Sequence, residues 1–316
     1  AVGRPDGEIA PEDVRRAIAA AETFIPRNPN REILHLIPRD FRVDQEEGVK
    51  DPVGMHGVRL EVDTLIVEAF APALKNLFKC GEAAGIKPVD WVFGPLASAE
   101  AVLTRRQKEL GVGLCDIGGG TASFIVFEEG APLHAGVIPV GGSNITNDIA
   151  IGFRMHVDAA EQIKLAHGSC LAADVAKREA IRAGDFIPED PGTFSRRELA
   201  LMIQARLGDV FELLHKELRK INRRELFPAG LVLVGGSAVL PGLPELARRE
   251  IGLPVQIGQP FGFPEIDEIS APSFASVLGV LVWAQRHMER SGDRWGDRLS
   301  RPWRSTLAKW LRSLLP

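Results

Sequence analysis

The sequence predicts an α/β fold, and three observations carry the prediction. Residues 111–115 and 122–127 are strand-like apolar runs joined at a glycine-rich tip, Asp116-Ile117-Gly118-Gly119-Gly120-Thr121, which is the pattern of a β-hairpin. Residues 229–234 form a second buried-strand pattern that runs into Gly235-Gly236-Ser237 and then a helical stretch, 243–250. Between these strands lie helical patterns, most plainly at 195–221, where Leu199, Ile203, Leu207, Val210, Leu214 and Leu218 share one face.

The chain of 316 residues is long enough for two domains or one large divided domain. Its 45% hydrophobic and 25% charged content are those of a soluble globular protein. A net charge of −4 gives no overall attraction to nucleic acid. Cys80, Cys115 and Cys170 are far apart and lack metal-ligand spacing, so buried thiols in a reducing compartment are expected. The seven histidines are scattered. No run of about 20 apolar residues or signal peptide is present. The sequence opens on Ala1, and a fragment or processed product is expected.

Taken in order, Pro11 with Glu12 and Asp13 opens a helix over 11–22. Strands are expected at 32–43 and 58–70, then a helix at 72–84 and a short buried strand at 89–93. These elements could bury a small core of their own, a subdomain ending near residue 94. A helix is expected at 96–110, followed by the glycine hairpin and a third strand at 136–139. Gly141-Gly142-Ser143-Asn144 then opens a helix whose amino end is either an ordinary cap or a second phosphate-facing site. Residues 157–165 are helical, and 172–196 read as a polar loop. A short strand at 255–257 and an apolar helix at 273–288 complete the globular part.

The chemistry concentrates in the glycine runs. Three consecutive glycines are costly unless the backbone must turn sharply or approach something closely. Backbone N–H groups at such a tip cradle phosphate oxygens, and Thr121 can donate beside them. Asp116 can hold a hydrated Mg²⁺, an ion that keeps several waters and takes few protein oxygens. A glycine-rich hairpin without a ligand accounts for the same residues. Glu161 and Lys164 lie on one helical face and could reach one ligand together, or form a solvated ion pair. Gly235 and Gly236 permit close approach to a flat ring or sugar at a strand's carboxyl end.

The last stretch differs in kind. Residues 289–300 are polar and charged, a linker pattern. In 301–316, Trp303, Leu307, Trp310, Leu311 and Leu314 share one helical face, Lys309 and Arg312 lie opposite, and no acid is present. A short basic helix with two tryptophans is the pattern of a segment lying in a membrane interface. Docking on its own domain or on a partner protein is the alternative.

Together the motifs resemble the actin/heat-shock-chaperone ATPase superfamily. Asp116–Thr121, Glu161 with Lys164, and Gly235-Gly236-Ser237 occur in its order. Within it the sequence most resembles the bacterial cell-division family FtsA. The stretches that carry this likeness are Arg31-Glu32-Ile33-Leu34-His35 with Pro38, Lys50-Asp51-Pro52-Val53-Gly54-Met55 with Gly57-Val58-Arg59-Leu60-Glu61-Val62, and residues 95–103. Val137-Ile138-Pro139 with Gly141-Gly142, Thr146-Asn147-Asp148-Ile149-Ala150 and the terminal basic helix complete it.

The resemblance implies an actin-like, ribonuclease-H-like α/β fold with an incomplete first half and an inserted small α+β subdomain. Residues 1–93 would be the inserted interaction subdomain, which contacts the next protomer of a filament. Residues 94–111 and 272–288 would belong to the first half, and 112–165 with 227–271 to the nucleotide-binding core. Residues 166–226 would form an upper subdomain that receives the C-terminal peptide of FtsZ, 289–300 a linker and 301–316 a membrane-targeting helix. ATP and Mg²⁺ are the implied cofactors. Asp116 would hold Mg²⁺ through water, while Gly118, Gly119, Gly120 and Thr121 would touch phosphates. Glu161 and Lys164 would meet ribose and adenine, and Gly235, Gly236 and Ser237 would close on the adenosine.

The implied function is a polymerising tether that links the FtsZ ring to the cytoplasmic face of an anionic membrane and recruits other division proteins. A small-molecule kinase or a pilus-assembly ATPase of the same superfamily is the alternative. Two departures from the family pattern bear on activity. Its first phosphate loop, an acid followed by Gly and Thr or Ser, is not in residues 1–30, so an N-terminal segment is expected to be absent and nucleotide binding by this chain to be weak. The position two after Thr121, usually an acid, is Ser123. At most a weak ATPase, acting as a nucleotide-dependent scaffold, is therefore expected.

Overall fold

The computed structural model describes residues 2–3, 6–24, 28–86, 88–187, 191–221, 227–262 and 271–290. The tail positions singled out above (Trp303, Leu307, Lys309, Trp310, Leu311, Arg312 and Leu314) lie outside these residues. No helix among the described residues is long and apolar enough to cross a membrane.

Helix α1 (Pro11–Thr23) starts at a proline, and the Asp13 carboxylate accepts from the Ala10 N–H at 2.9 Å. Next come β1 (Arg31–Val43), β2 (Glu46–Val49) and β3 (Leu60–Phe70), an antiparallel sheet in the order β2-β1-β3. Helix α2 (Ala71–Ala83) follows. Strand β2 was not expected, because Glu46-Glu47-Gly48-Val49 shows no apolar alternation and lies at the sheet edge, exposed over most of its length.

Residues 89–93, expected as a short buried strand, are not one. The segment is in no strand of the described structure, and Val89 is 90% exposed. Its tie is the Phe93 N–H, which donates to Nε2 of His35 on β1 at 2.9 Å. Cys80 also departs from expectation, since it is exposed. Cys115 and Cys170 are buried, and burial pushes both thiols up, that of Cys170 to about 12.

The single helix expected at 96–110 is two, α3 (Gly94–Val102) and α4 (Arg105–Leu110). Leu103 is buried and extended between them. Thr104 restarts the helix by accepting from the Gln107 N–H at 3.2 Å, while its own N–H donates to Gln107 Oε1 at 2.9 Å.

The main sheet contains β4 (Val112–Ile117), β5 (Ala122–Glu128) and β6 (Ala131–Ile138) as a meander. Helices α5 (Gly142–Phe153) and α6 (Val157–His167) follow it. The stretch read as a polar loop carries two short paired strands, β7 (Ala180–Arg182) and β8 (Thr193–Ser195). After these come α7 (Arg196–Lys220), β9 (Leu231–Val234), α8 (Leu243–Ile251), β10 (Val255–Ile257) and α9 (Ala275–Arg290). The sheet order is β10-β9-β4-β5-β6, with β9 parallel to both β4 and β10.

Alternation along the strands feeds two cores. Cys115, Ile117, Phe124 and Val126 pack on the face that also holds Ile145, Ile163 and Leu207 of α5, α6 and α7. Leu114, Ile125, Phe127 and Val234 pack on the other face, with Leu96 and Leu278 of α3 and α9. On that side α3 and α9 cross at closest range: a Cβ at Gly279 would sit 1.9 Å from the Ala97 carbonyl oxygen. The amino-terminal sheet is tied to the main one through Lys50, whose Nζ lies 2.6 Å from Asp40 and 2.9 Å from Glu129 at the β5–β6 turn.

Candidate functional site

Parallel pairing aligns the carboxyl ends of β4 and β9. Asp116 sits beside Val234, so the two glycine runs emerge at the same end of the sheet, the end at which open α/β sheets bind ligands. Gly235 has φ +92°, and a Cβ there would be 2.4 Å from Asp116 Oδ1 and 2.6 Å from the Ile117 carbonyl oxygen. Only glycine fits between the two runs.

The hairpin tip closes with Gly118 N–H donating to the Thr121 carbonyl at 2.9 Å. Gly119, Gly120 and Thr121 are exposed, and the N–H groups of Gly119 and Gly120 donate to no group among the described residues. A Cβ at Gly120 or Gly236 would enter open space. A tip with two exposed N–H donors that no described protein group takes fits an anionic ligand.

The amino end of α5 does different work. Gly142 and Ser143 donate their N–H groups to the Gly118 and Gly119 carbonyls at 2.8 and 2.7 Å. Gly141 N–H donates to its own helix's Asn144 Oδ1 at 2.9 Å. The end that sequence left open between a cap and a second phosphate site therefore grips the first glycine loop. A Cβ at Gly141 would fall 2.6 Å from the Gly119 carbonyl oxygen and 2.7 Å from the Gly118 carbonyl oxygen.

Glu161 and Lys164 do meet, with Lys164 Nζ 2.7 Å from Glu161 Oε2. The pair is not simply solvated, because Lys164 is 7% exposed. Its Nζ also donates to Thr146 Oγ1 at 2.8 Å and to the Gly142 carbonyl at 3.2 Å. Thr146 is buried and hydrogen bonds to the same Glu161 oxygen. Burial works against the Glu161 carboxylate, yet the hydrogen bonds from Lys164 and Thr146 hold its pKa below the ordinary value. Ser237 closes the ring, since a Cβ at Gly142 would sit 2.8 Å from Ser237 Oγ.

The residues singled out in the sequence thus surround one end of the sheet. Three that were not named as site residues belong with them, two of which (Ser98 and Thr146) lie in stretches that carry the family likeness. Thr146 links Glu161 and Lys164, and Ser98 and Ser276 contact Asp116. A Thr inside a helical pattern and two Ser residues far from Asp116 in sequence leave no periodic or spacing signal. Among the described residues no group of three His, Cys, Asp or Glu could hold a metal ion. A hydrated Mg²⁺ needs no such group, and Asp116 is a carboxylate suited to contact one through water.

The family model for cell division protein FtsA matches residues 113–279, and that for the SHS2 domain inserted in FtsA matches residues 1–68. The cell division protein FtsA of Pseudomonas aeruginosa is 37% identical over 280 residues, 88% of this chain and 67% of that protein. The chain spans about two thirds of the length of such relatives. Among solved structures, the PilM–PilN type IV pilus biogenesis complex has a TM-score of 0.61 at 20% identity, covering 90% of this chain and 74% of that one. MreB5 of Spiroplasma citri bound to ADP has a TM-score of 0.55 at 17% identity, covering 71% and 67%. These structures establish the fold as that of the actin-like ATPases, an α/β fold with a five-stranded mixed sheet.

Proposed function

The chain belongs to the FtsA family of cell-division proteins, and from that membership we propose that it is a nucleotide-dependent scaffold that tethers the FtsZ ring to the membrane. The observation that carries this reading is the match of both family models, one on each side of residue 94, together with the basic amphipathic pattern at 301–316.

ATP is the proposed nucleotide. The N–H groups of Gly119 and Gly120, with the Thr121 hydroxyl, take phosphate oxygens. Asp116 faces Mg²⁺ through water, Glu161 and Lys164 take the ribose and base, and Gly235, Gly236 and Ser237 close over the adenosine. Bound Mg²⁺ would supply charge neutralisation at the phosphates. Ser123 pairs directly across the hairpin from Asp116 and brings a hydroxyl rather than a second carboxylate. That pairing favours holding a nucleotide over hydrolysing it, so the chain is at most a weak ATPase. Filament formation, binding of the FtsZ C-terminal peptide by residues 166–226 and recruitment of later division proteins belong to the same reading, which places the chain on the cytoplasmic face of the membrane at the division site.

Each large apolar side chain of the tail contributes roughly 1.5–3 kcal/mol when fully buried, so one copy holds moderately. Many copies on a polymer hold far better through effective concentration. Co-sedimentation of the full chain with anionic phospholipid vesicles tests the tether. Trp303→Glu with Trp310→Glu should abolish pelleting. Pelleting equal to that of the parent would sink the proposal.

A further inference from the structure

The carboxylate at the centre of the site is gripped from the helix side. Asp116 Oδ2 accepts from Ser276 Oγ at 2.6 Å and lies 3.2 Å from Ser98 Oγ, and the two hydroxyls are 2.7 Å apart. Each hydroxyl has one proton. The arrangement is a three-membered relay in which Ser276 donates to Asp116 and the single proton of Ser98 serves either Asp116 or Ser276. Ser98 is fully buried, and a hydroxyl at such a position is costly unless it is bonded.

The placement of the two serines gives the relay its meaning. Ser98 is on α3, next to Ala97, and Ser276 is on α9, one turn before Gly279. Ala97 and Gly279 make the contact at which those helices cross. The relay thus spans the crossing and ends on the residue that begins the glycine loop. Oδ1 fills the space a side chain at Gly235 would take, since a Cβ there would fall 2.4 Å from it.

We propose that Ser98 and Ser276 are positioning residues for Asp116. They aim its carboxylate and make that aim depend on the α3–α9 crossing, so a shift of one helix on the other changes how the site receives a cation–nucleotide pair. This rests on the reading of Asp116 as the carboxylate facing Mg²⁺. A charge-assisted hydrogen bond is strong enough for its loss to be measured in binding.

The test is ATP binding to the full chain, followed by NMR line shapes, with Mg²⁺ and again in excess chelator. In the parent chain Mg²⁺ should tighten ATP binding. Ser276→Ala should reduce that gain by about tenfold and leave affinity in chelator within about twofold. Ser276→Thr, which keeps the hydroxyl, should restore the gain, and Ser98→Ala should reproduce a weaker form of the loss. Equal losses with and without Mg²⁺, or no loss, would overturn the positioning role. If the parent chain itself shows no Mg²⁺-dependent gain, the nucleotide–Mg²⁺ reading fails, and the proposal falls with it. That result is visible before any variant is made, so the two failures are distinguishable.

Discussion

At Thr146 a single hydroxyl organises two charges. It accepts from Lys164 and bonds to Glu161 while buried at 3% exposure, so the pair acts as a fixed unit. The Glu161 carboxyl therefore holds its proton more weakly in the folded chain than in the unfolded one. Its contribution is fully present above the ordinary value of 4.5 and is lost as pH falls through the lowered folded value. Glu161→Gln should destabilise the chain at pH 7 by on the order of 1 kcal/mol, because solvent screens the part-exposed carboxylate. The difference from the parent should shrink below about pH 4.5. Urea unfolding at several pH values checks it, and a pH-independent difference would contradict the assignment. The glycine runs and Glu161 with Lys164 were legible as residues because their chemistry is written locally. Thr146, Ser98 and Ser276 were not, because a hydroxyl acquires such a role only from partners that folding brings to it.

Helix packing sets the next scale. Where α3 and α9 cross, Gly279 lies against backbone, not against a side chain that could swing aside. Gly279→Val must push the helices apart and disturb the core around Leu96 and Leu278. It should cost about 3 kcal/mol or more, lowering the unfolding midpoint by several degrees in thermal denaturation; Gly279→Ala should do the same to a lesser degree. Helices and central strands of this size were legible from their periodicity. The errors share a physical cause. Residues 89–93 are apolar enough for a strand, but a strand is defined by its neighbour, and the segment pairs with none among the described residues. The chain at 96–110 carries a helical pattern throughout, yet Leu103 is extended and the Thr104–Gln107 capping pair starts a second helix. Strand β2 belongs to the sheet because β1 is beside it, not because of its own four residues.

The whole molecule joins an amino-terminal sheet to a main one. Lys50 bridges the two, and α3 and α9 clamp one face of the main sheet. The presence of an α/β core preceded by a smaller unit was legible from the order of patterns. The sheet order was not, because β9 enters beside β4 from a distant part of the chain: Gly113 pairs with Leu231. That insertion has a kinetic consequence. Strands β4, β5 and β6 form a meander that closes only short loops, whereas β9 waits on a long closure. The meander should form first, as a half-sheet with one side of β4 open until β9 docks. Refolding after denaturant dilution should then be slowed by Ile125→Val, while Leu233→Ala should chiefly speed unfolding. On this order the glycine loop should be built early, on a finished hairpin, and Gly235 should reach Asp116 only when β9 docks.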